Sequence, residues 1–348
     1  MSQYLVLSKI NIQNANSIAG LTWGFPAITN FLGFTHALNR KISNKYEGEY
    51  EAELTGCGVV SHVINNKVYQ AKPYADFEFL QSKNPPVLSK HKNASPPIIE
   101  EGKMNLTVSL VIELSSSLAL TTDQIKKLEK TVLDLCYRMH IAGGTVLSIN
   151  NAKLLSASTE EQHRNLHRQI KRLTMPGFVL LDRSAYLEEH YQMLLEEHEE
   201  SSSKEKPTPL GAWLDFSVLK FKARPQLIEG QSEPDDKTPA DWEYVSKPKP
   251  GYLVPLMTGY KAISELYEAG EVLNTRDETT PSRFVEAIHS VGEWKGMHSI
   301  QSISDVIWRY HNDNEWYLCR QQNKKDNEKL DLRTQEQTLK LNEALNLF

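Results

Sequence analysis

The sequence predicts an α+β fold, a ferredoxin-like sheet of the RRM type carrying an insertion, and three observations predict it. Strand-like and helix-like segments alternate over the first half in the order strand, helix, strand, strand, helix, strand. NLTVSLVIEL (105–114) alternates without a break, with Leu106, Val108, Leu110, Ile112 and Leu114 on one face. TTDQIKKLEKTVLDLCYRMH (121–140) then changes to helical period, with Ile125, Leu128, Val132, Leu135, Cys136 and Met139 as its buried stripe.

Taken in order, YLVLSKINI (4–12) reads as the first strand. An amide-rich loop follows, and Pro26 suits the first position of a helix. Ile28, Phe31, Leu32, Leu38 and Ile42 carry that helix to about residue 42. ELTGCGVVSHVI (53–64) is a strand in which Gly56 and Gly58 predict a bulge or a close backbone approach. Residues 65–104 are irregular, with five prolines and seven Lys or His. Thr121 and Gln124 form a capping box for the helix that follows, Gly143 and Gly144 end it, and TVLSI (145–149) is the fourth strand.

Beyond this come a helix at 160–173, a Pro176-Gly177 turn, a strand FVLLD (178–182) and a glutamate-rich helix at 184–200. SSSKEKPTP and roughly 230–250 read as linkers, WLDFSVLKF (213–221) and YLVPLMTGY (252–260) as strands, and 281–294 and 300–311 as helices. The expected organisation is an RRM-like domain from 1–64 and 105–182, an insertion at 65–104, a C-terminal elaboration at 183–323 and a charged tail at 324–348.

The composition excludes several classes. No apolar run spans a bilayer, so no membrane role is expected. The first ten residues lack the pattern of a secretion signal, and Cys57, Cys136 and Cys319 stand far apart. A reducing, cytoplasmic setting is therefore expected, without disulfides or a zinc knuckle. Net charge is −5, unevenly spread: +4 over 1–182 and −9 over 183–348. Such asymmetry suits a chain that meets a polyanion on one side.

Two stretches carry candidate chemistry. The helix at 160–173 places Arg164, Arg168, Lys171 and Arg172 on one face, with Leu166, Ile170 and Leu173 opposite. That face is either a phosphate track or simply solvated. Asn11, Gln13, Asn14 and Asn16 crowd six positions, followed by Trp23 and Phe25. At a sheet rim these amides would bond base edges and an aromatic would stack on a base. The alternative is an asparagine turn with Trp23 in the core. His163 and His167 lack a third metal ligand, so no metal or other cofactor is expected. His36, one turn before Arg40 and Lys41, is either an acid-base residue or a helix histidine. GCG at 56–58 and Gly143-Gly144 complete no phosphate-loop motif, and no catalytic motif is present.

NIQNANSIAGLTWGFPAITNFLGFTHAL, GCGVVSH, IIEEGKMNLTVSL, AGGTVL, MPGFVLL, YLVPLMTGY and RFVEAIHSVGEW follow one another in an order that resembles the Csy2-type subunits of type I-F CRISPR surveillance complexes. The likeness runs from about residue 5 to 310. It implies a Cas5-like member of the repeat-associated RNA-binding (RAMP) proteins, with a modified RRM domain and a projecting thumb where 65–104 falls. It also implies a non-catalytic subunit that binds the 5′ handle of CRISPR RNA (crRNA) together with a large subunit. Backbone subunits would follow along the spacer, and target DNA would be met indirectly, through the complex. On that reading Asn11, Gln13, Asn14, Asn16 and Trp23 contact the handle. His36, Arg40, Arg164, Arg168, Lys171 and Arg172 reach phosphates, and Arg276 and Arg283 are secondary candidates. The competing readings are a RAMP endoribonuclease processing precursor CRISPR RNA, using His36 with Lys41 or Tyr46, and a scaffold that binds protein only.

Overall fold

A computed structural model describes residues 2–46, 53–80, 82–83, 98–99, 101–200, 206–226, 234, 238–275 and 277–321. In chain order its main elements are β1 (Ser2–Asn16), α1 (Ile28–Lys45), β2 (Leu54–Asn66), β3 (Lys103–Leu114), α2 (Thr122–Cys136), β4 (Gly144–Ser148), β5 (Asn151–Ala157), α3 (Glu160–Thr174) and β6 (Phe178–Asp182). There follow α4 (Ser184–Glu200), α5 (Pro209–Ser217), β7 (Lys220–Pro225), β8 (Ala240–Val245), β9 (Tyr252–Ala262), β10 (Val285–Gly296), β11 (Trp308–Asp313) and β12 (Trp316–Gln321). The mixed α/β composition agrees with the predicted class. The chain divides into two compact units, one of Met1–Leu180, Met257–Ile288 and Lys295–Phe348, the other of Leu181–Leu256 and His289–Trp294.

In the first unit the strands run β4–β1–β3–β2, each pair antiparallel. β5 pairs with Ser2–Ser8, the first half of β1, and β4 with its second half. Register explains the core. Leu5, Leu7, Ile10 and Ile12 stand opposite Ile112, Leu110, Val108 and Leu106, so the predicted alternating face of β3 is continued by β1. All eight side chains are buried, each worth about 1.5–3 kcal/mol on transfer from water. Asn39 and Ile42 of α1 and Leu128 and Val132 of α2 share a seam with Leu5 and Leu114, which places both helices on this face. The Thr121/Gln124 capping box forms as predicted, and a second, Thr159 with Gln162, starts α3.

The outer edge of β2 is shared. Val60 and Ser61 pair with Val179 and Phe178 of β6, while Gly56 and Cys57 pair with Arg309 and Trp308 of β11. The glycines are required there. A Cβ on Gly56 would lie 2.4 Å from the Trp308 carbonyl oxygen, so the close approach read from the sequence is real. Trp308 is fully buried and its indole Nε1 donates to the Leu180 carbonyl at 3.1 Å. Arg309 forks onto both oxygens of Glu113 at 2.7–2.8 Å.

Several local expectations are corrected. The amide-rich stretch is no loop, because β1 runs on to Asn16 through two bulges, at Leu7/Ile10 and Ile12/Ala15. Lys9 (φ 49°) and Asn14 (φ 59°) take the left-handed backbone that each bulge needs. Pro26 precedes the helix, whose N-cap is Ala27, and α2 stops at Cys136, so His140 belongs to a short pairing of 140–141 with β4. β5 was not expected. Residues 285–296 and 308–313 are strands rather than helices: the buried run Ser290–Gly292 is continuous, and β11 is held by β2 and β12. The helix expected over 300–311 is replaced by a short 3₁₀ turn and the start of β11.

The second unit contains α4, as predicted over 184–200, and α5. Pro209 at the first helical turn and the Thr208 cap make a helix where a strand was expected at 213–217. Phe216, Leu253 and Val291 form its core, with Tyr186, Leu187 and Trp213 packed on them. Arg183 meets Glu293 at 2.7 Å, and buried His190 meets Asp215 at 2.7 Å. The 230–250 linker includes β8, which pairs with β7 as an exposed hairpin.

Candidate nucleic-acid interface

The two bulges decide which side chains face outward. Because each resets the alternation, Asn11 and Gln13 stand on the sheet face opposite α1 and α2. Asn11 is in register with Thr107 of β3, and Thr107 with Val63 of β2, so the three share one row on this face. Asn11 and Val63 are exposed and Thr107 is half-buried. Gln13 is exposed beside Thr145.

The other amides are engaged locally. Asn16 accepts from the Ile18 N–H at 3.0 Å and donates to the Ile18 carbonyl at 3.1 Å. The Asn14 N–H donates to Asn105 Oδ1 at 3.1 Å, and its own Oδ1 accepts from Lys67 Nζ. Lys67 belongs to the insertion, which leaves the sheet here: Asn66 and Ala15 both stand opposite Met104. Trp23 is 39% exposed, in a two-residue strand paired with Ile18–Ala19. Its ring lies 4.4 Å from that of Phe79 in the insertion's small hairpin, 68–69 against 78–79. Trp23 is thus neither a core residue nor a free platform. The insertion residues 84–97 and the tail 324–348 lie outside the described residues, as does Arg276. Arg283 donates to the Asn314 carbonyl at 2.6 Å.

His36 and Arg40 are exposed, but α1 carries them on the opposite side of the sheet from Asn11 and Gln13. Tyr46, offered as an acid-base partner for His36, is buried and its hydroxyl donates to Thr131 Oγ1 at 3.0 Å.

The predicted cationic face of α3 is present. Arg164, Arg168 and Arg172 are exposed and Lys171 is half-buried; Leu166 and Ile170 are buried opposite, and Leu173 partly so. Lys171 and Arg172 occupy the last turn, where each cation favours the helix dipole by about 0.3–1 kcal/mol. Helix stability alone does not account for what stands beside them. Arg168, Lys171 and Arg172 line an open depression of about 700 Å³ with Met175, Pro176, Gly177, Phe178, Gly296 and His298, and among the described residues no carboxylate is in its walls. Lys171 Nζ donates to the His298 carbonyl at 2.9 Å. His163 is exposed. His167 Nε2 is buried, and burial followed by the Lys171 charge holds that imidazole below its usual pKa.

A chain of hydrogen bonds between residues distant in sequence runs from this depression to β1. His62 Nδ1 lies 2.6 Å from the Pro176 carbonyl and Nε2 lies 2.7 Å from Ser109 Oγ. A carbonyl only accepts, so Nδ1 carries the proton and Nε2 accepts from the serine hydroxyl. That hydroxyl in turn accepts from the N–H of bulged Lys9 at 2.8 Å. Every donor has one direction, and the neutral imidazole is the form that fits. Burial first, and the Lys9 charge second, lower the His62 pKa against the opposing pull of the Pro176 carbonyl. His62 is 47 and 114 positions from its partners, which is why sequence spacing did not reveal it.

Comparison with known proteins agrees with the sequence blocks. The family model described as CRISPR-associated protein (Cas_Csy2) matches residues 5–319. CRISPR-associated protein Csy2 of Pseudomonas aeruginosa (strain UCBPP-PA14) is 33% identical over 316 residues, covering 88% of this chain and 91% of the relative. The chain belongs to the Csy2 family. Both the outward row of β1 and the depression beside α3 fall inside the matched Csy2 span, whereas residues 320–348 lie beyond it. Among the described residues, no helix is long and apolar enough to cross a membrane.

Proposed function

We propose that this Csy2-family chain is a non-catalytic subunit of a type I-F CRISPR RNA-guided surveillance complex, binding the 5′ handle of the crRNA together with the large subunit. The observation that carries the reading is the exposed cationic face of α3, which opens on a depression with no carboxylate among its described walls and connects through His62 and Ser109 to the bulged Lys9 of β1. Amides and rings act on unpaired bases, while cations hold phosphates without reading sequence.

In this reading 1–64 and 105–182 form a Cas5-like RAMP domain of the RRM type. The strand order β4–β1–β3–β2 with two helices on one face supports that topology. Residues 65–104 act as a thumb beside the neighbouring backbone subunit, 183–323 is an elaboration, and 324–348 is a tail that docks on a partner. The complex works in the cytoplasm and meets target DNA through the guide.

The test is RNA capture by the chain with its large-subunit partner, comparing the repeat-derived handle with a scrambled RNA of equal length at two salt concentrations. Retention of the handle alone supports the reading. Equal, steeply salt-dependent retention of both leaves an electrostatic scaffold, and a shortened RNA product would turn the assignment to a nuclease.

A further inference from the structure

We propose that the depression at the end of α3 is a subsite for one unpaired nucleotide of a bound RNA strand, with its base against Phe178 and Met175 and its phosphates on Arg168 and Arg172. The inference rests on the RNA-binding reading and names a place within it.

The walls supply two complementary chemistries. On one side stand Arg168 and Arg172, with Lys171 bonded to the His298 carbonyl and no carboxylate among the described walls. On the other, Phe178 is 58% exposed and Met175 38%, although both flank a turn that is otherwise tied down. Among the described residues no carboxylate pairs with either guanidinium group, and a phenyl ring left in water beside them contributes little to folding. It matches what a nucleotide offers, a flat π-face joined to an anion.

The site is also built before anything enters it. The Pro176 carbonyl is held by His62, the Gly177 carbonyl accepts from the Met297 N–H at 2.9 Å, and Phe178 is in register with Ser61. Gly177 passes so close that a Cβ would meet Val60 at 2.7 Å and His62 at 3.0 Å. A Cβ on Gly296 would strike the His298 ring at 2.5 Å. Glycine at both positions lets the imidazole of His298 and the turn close in on the cavity. A wall fixed in this way orders little on binding, which favours affinity. A volume of about 700 Å³ lies within the ~300–1,000 Å³ typical of clefts that hold small ligands. Arg164, one turn farther along α3, extends the cationic face away from the cavity for the neighbouring phosphate.

The experiment is an abasic scan. A set of handle RNAs, each lacking one base, is bound to the full-length chain with its large-subunit partner and to the same pair carrying Phe178→Leu, with Phe178→Trp as the conservative variant. One abasic position is expected to weaken wild-type binding at least about fivefold and to have no effect in Phe178→Leu, while Phe178→Trp keeps the response. Phe178→Leu should leave the salt dependence unchanged, whereas Arg172→Gln should make it shallower. If Phe178→Leu responds to every abasic RNA as the wild type does, the base subsite is overturned and the RNA-binding reading stands. If the wild-type chain with its large-subunit partner retains no handle RNA, that reading falls and the subsite with it. A DNA strand of the same sequence bound equally well would overturn the assignment to RNA.

Discussion

The end of β1 and the C-terminal turn of α3 were the two stretches whose polar side chains stood out, and the fold uses them in opposite ways. At the end of β1 hydrogen-bonding capacity is largely consumed: Asn16 bonds Ile18 twice, and Asn14 holds a left-handed backbone and bonds Lys67. On α3 the cations are left facing a cavity with an exposed ring. A cluster of amides is therefore weak testimony for recognition, since Asn is also the residue that tolerates positive φ and closes local turns. On α3 the local uses are smaller, the helix dipole for Lys171 and Arg172 and the His298 carbonyl for Lys171, and they leave the guanidinium groups of Arg168 and Arg172 without a carboxylate among the described walls of the cavity.

That contrast can be broken by mutation. The largest expected effect is on α3. Arg168→Glu with Arg172→Glu should lower handle affinity about a hundredfold near 0.1 M salt and flatten its salt dependence, because each phosphate contact contributes a slope of about 0.7 on single strands. The melting temperature should stay within about 2 °C, as both side chains are exposed. Unchanged affinity at both salt concentrations would remove α3 from the interface.

Asn14 should behave in the reverse sense. Asn14→Ala puts a residue without a local hydrogen bond at φ 59° and should cost about 1–2 kcal/mol in denaturant unfolding, while Asn14→Gly costs much less. If the glycine variant keeps the fold and still distinguishes handle from scrambled RNA, Asn14 serves the backbone alone. Asn11→Ala with Gln13→Ala occupies the middle ground. Stability should change by less than about 0.5 kcal/mol, since both are exposed on the open face. A several-fold loss of handle preference would make them the true readers among the amides, and no loss would confine recognition to α3.

The smallest effect concerns pH. His62 has a lowered pKa in the folded chain, so the unfolded chain takes up its proton first as pH falls. The stabilisation is present above the unfolded value of about 6.5 and is lost as pH drops through the folded value. Melting temperature measured from pH 7.5 to 5 should decline less in His62→Asn than in the wild type. Parallel curves would show that His62 contributes no pH sensitivity.

Legibility followed periodicity. β3 with its clean alternation, the capping box at Thr121 and the amphipathic α3 were readable from residues alone. β1 was readable only to its second bulge, because a bulge breaks the period on which strand assignment depends. VEAIHSV within β10 carries apolar residues at spacings that suit a helix or a strand, and long-range packing chose the strand. The site divided along the same line. Its cations shared one helix and were visible, whereas His62, Ser109, Phe178 and His298 meet only through folding.

The shared edge of β2 carries one more consequence. Gly56 meets the Trp308 backbone, so a strand made early in synthesis waits about 250 residues for the neighbour that closes it. While the nascent chain is still short, that edge offers unpaired amides and carbonyls to any other extended peptide. Chains halted between β6 and β11 should therefore be the aggregation-prone species, and a ribosome that finishes quickly, or a chaperone covering β2, should raise the yield of assembled protein.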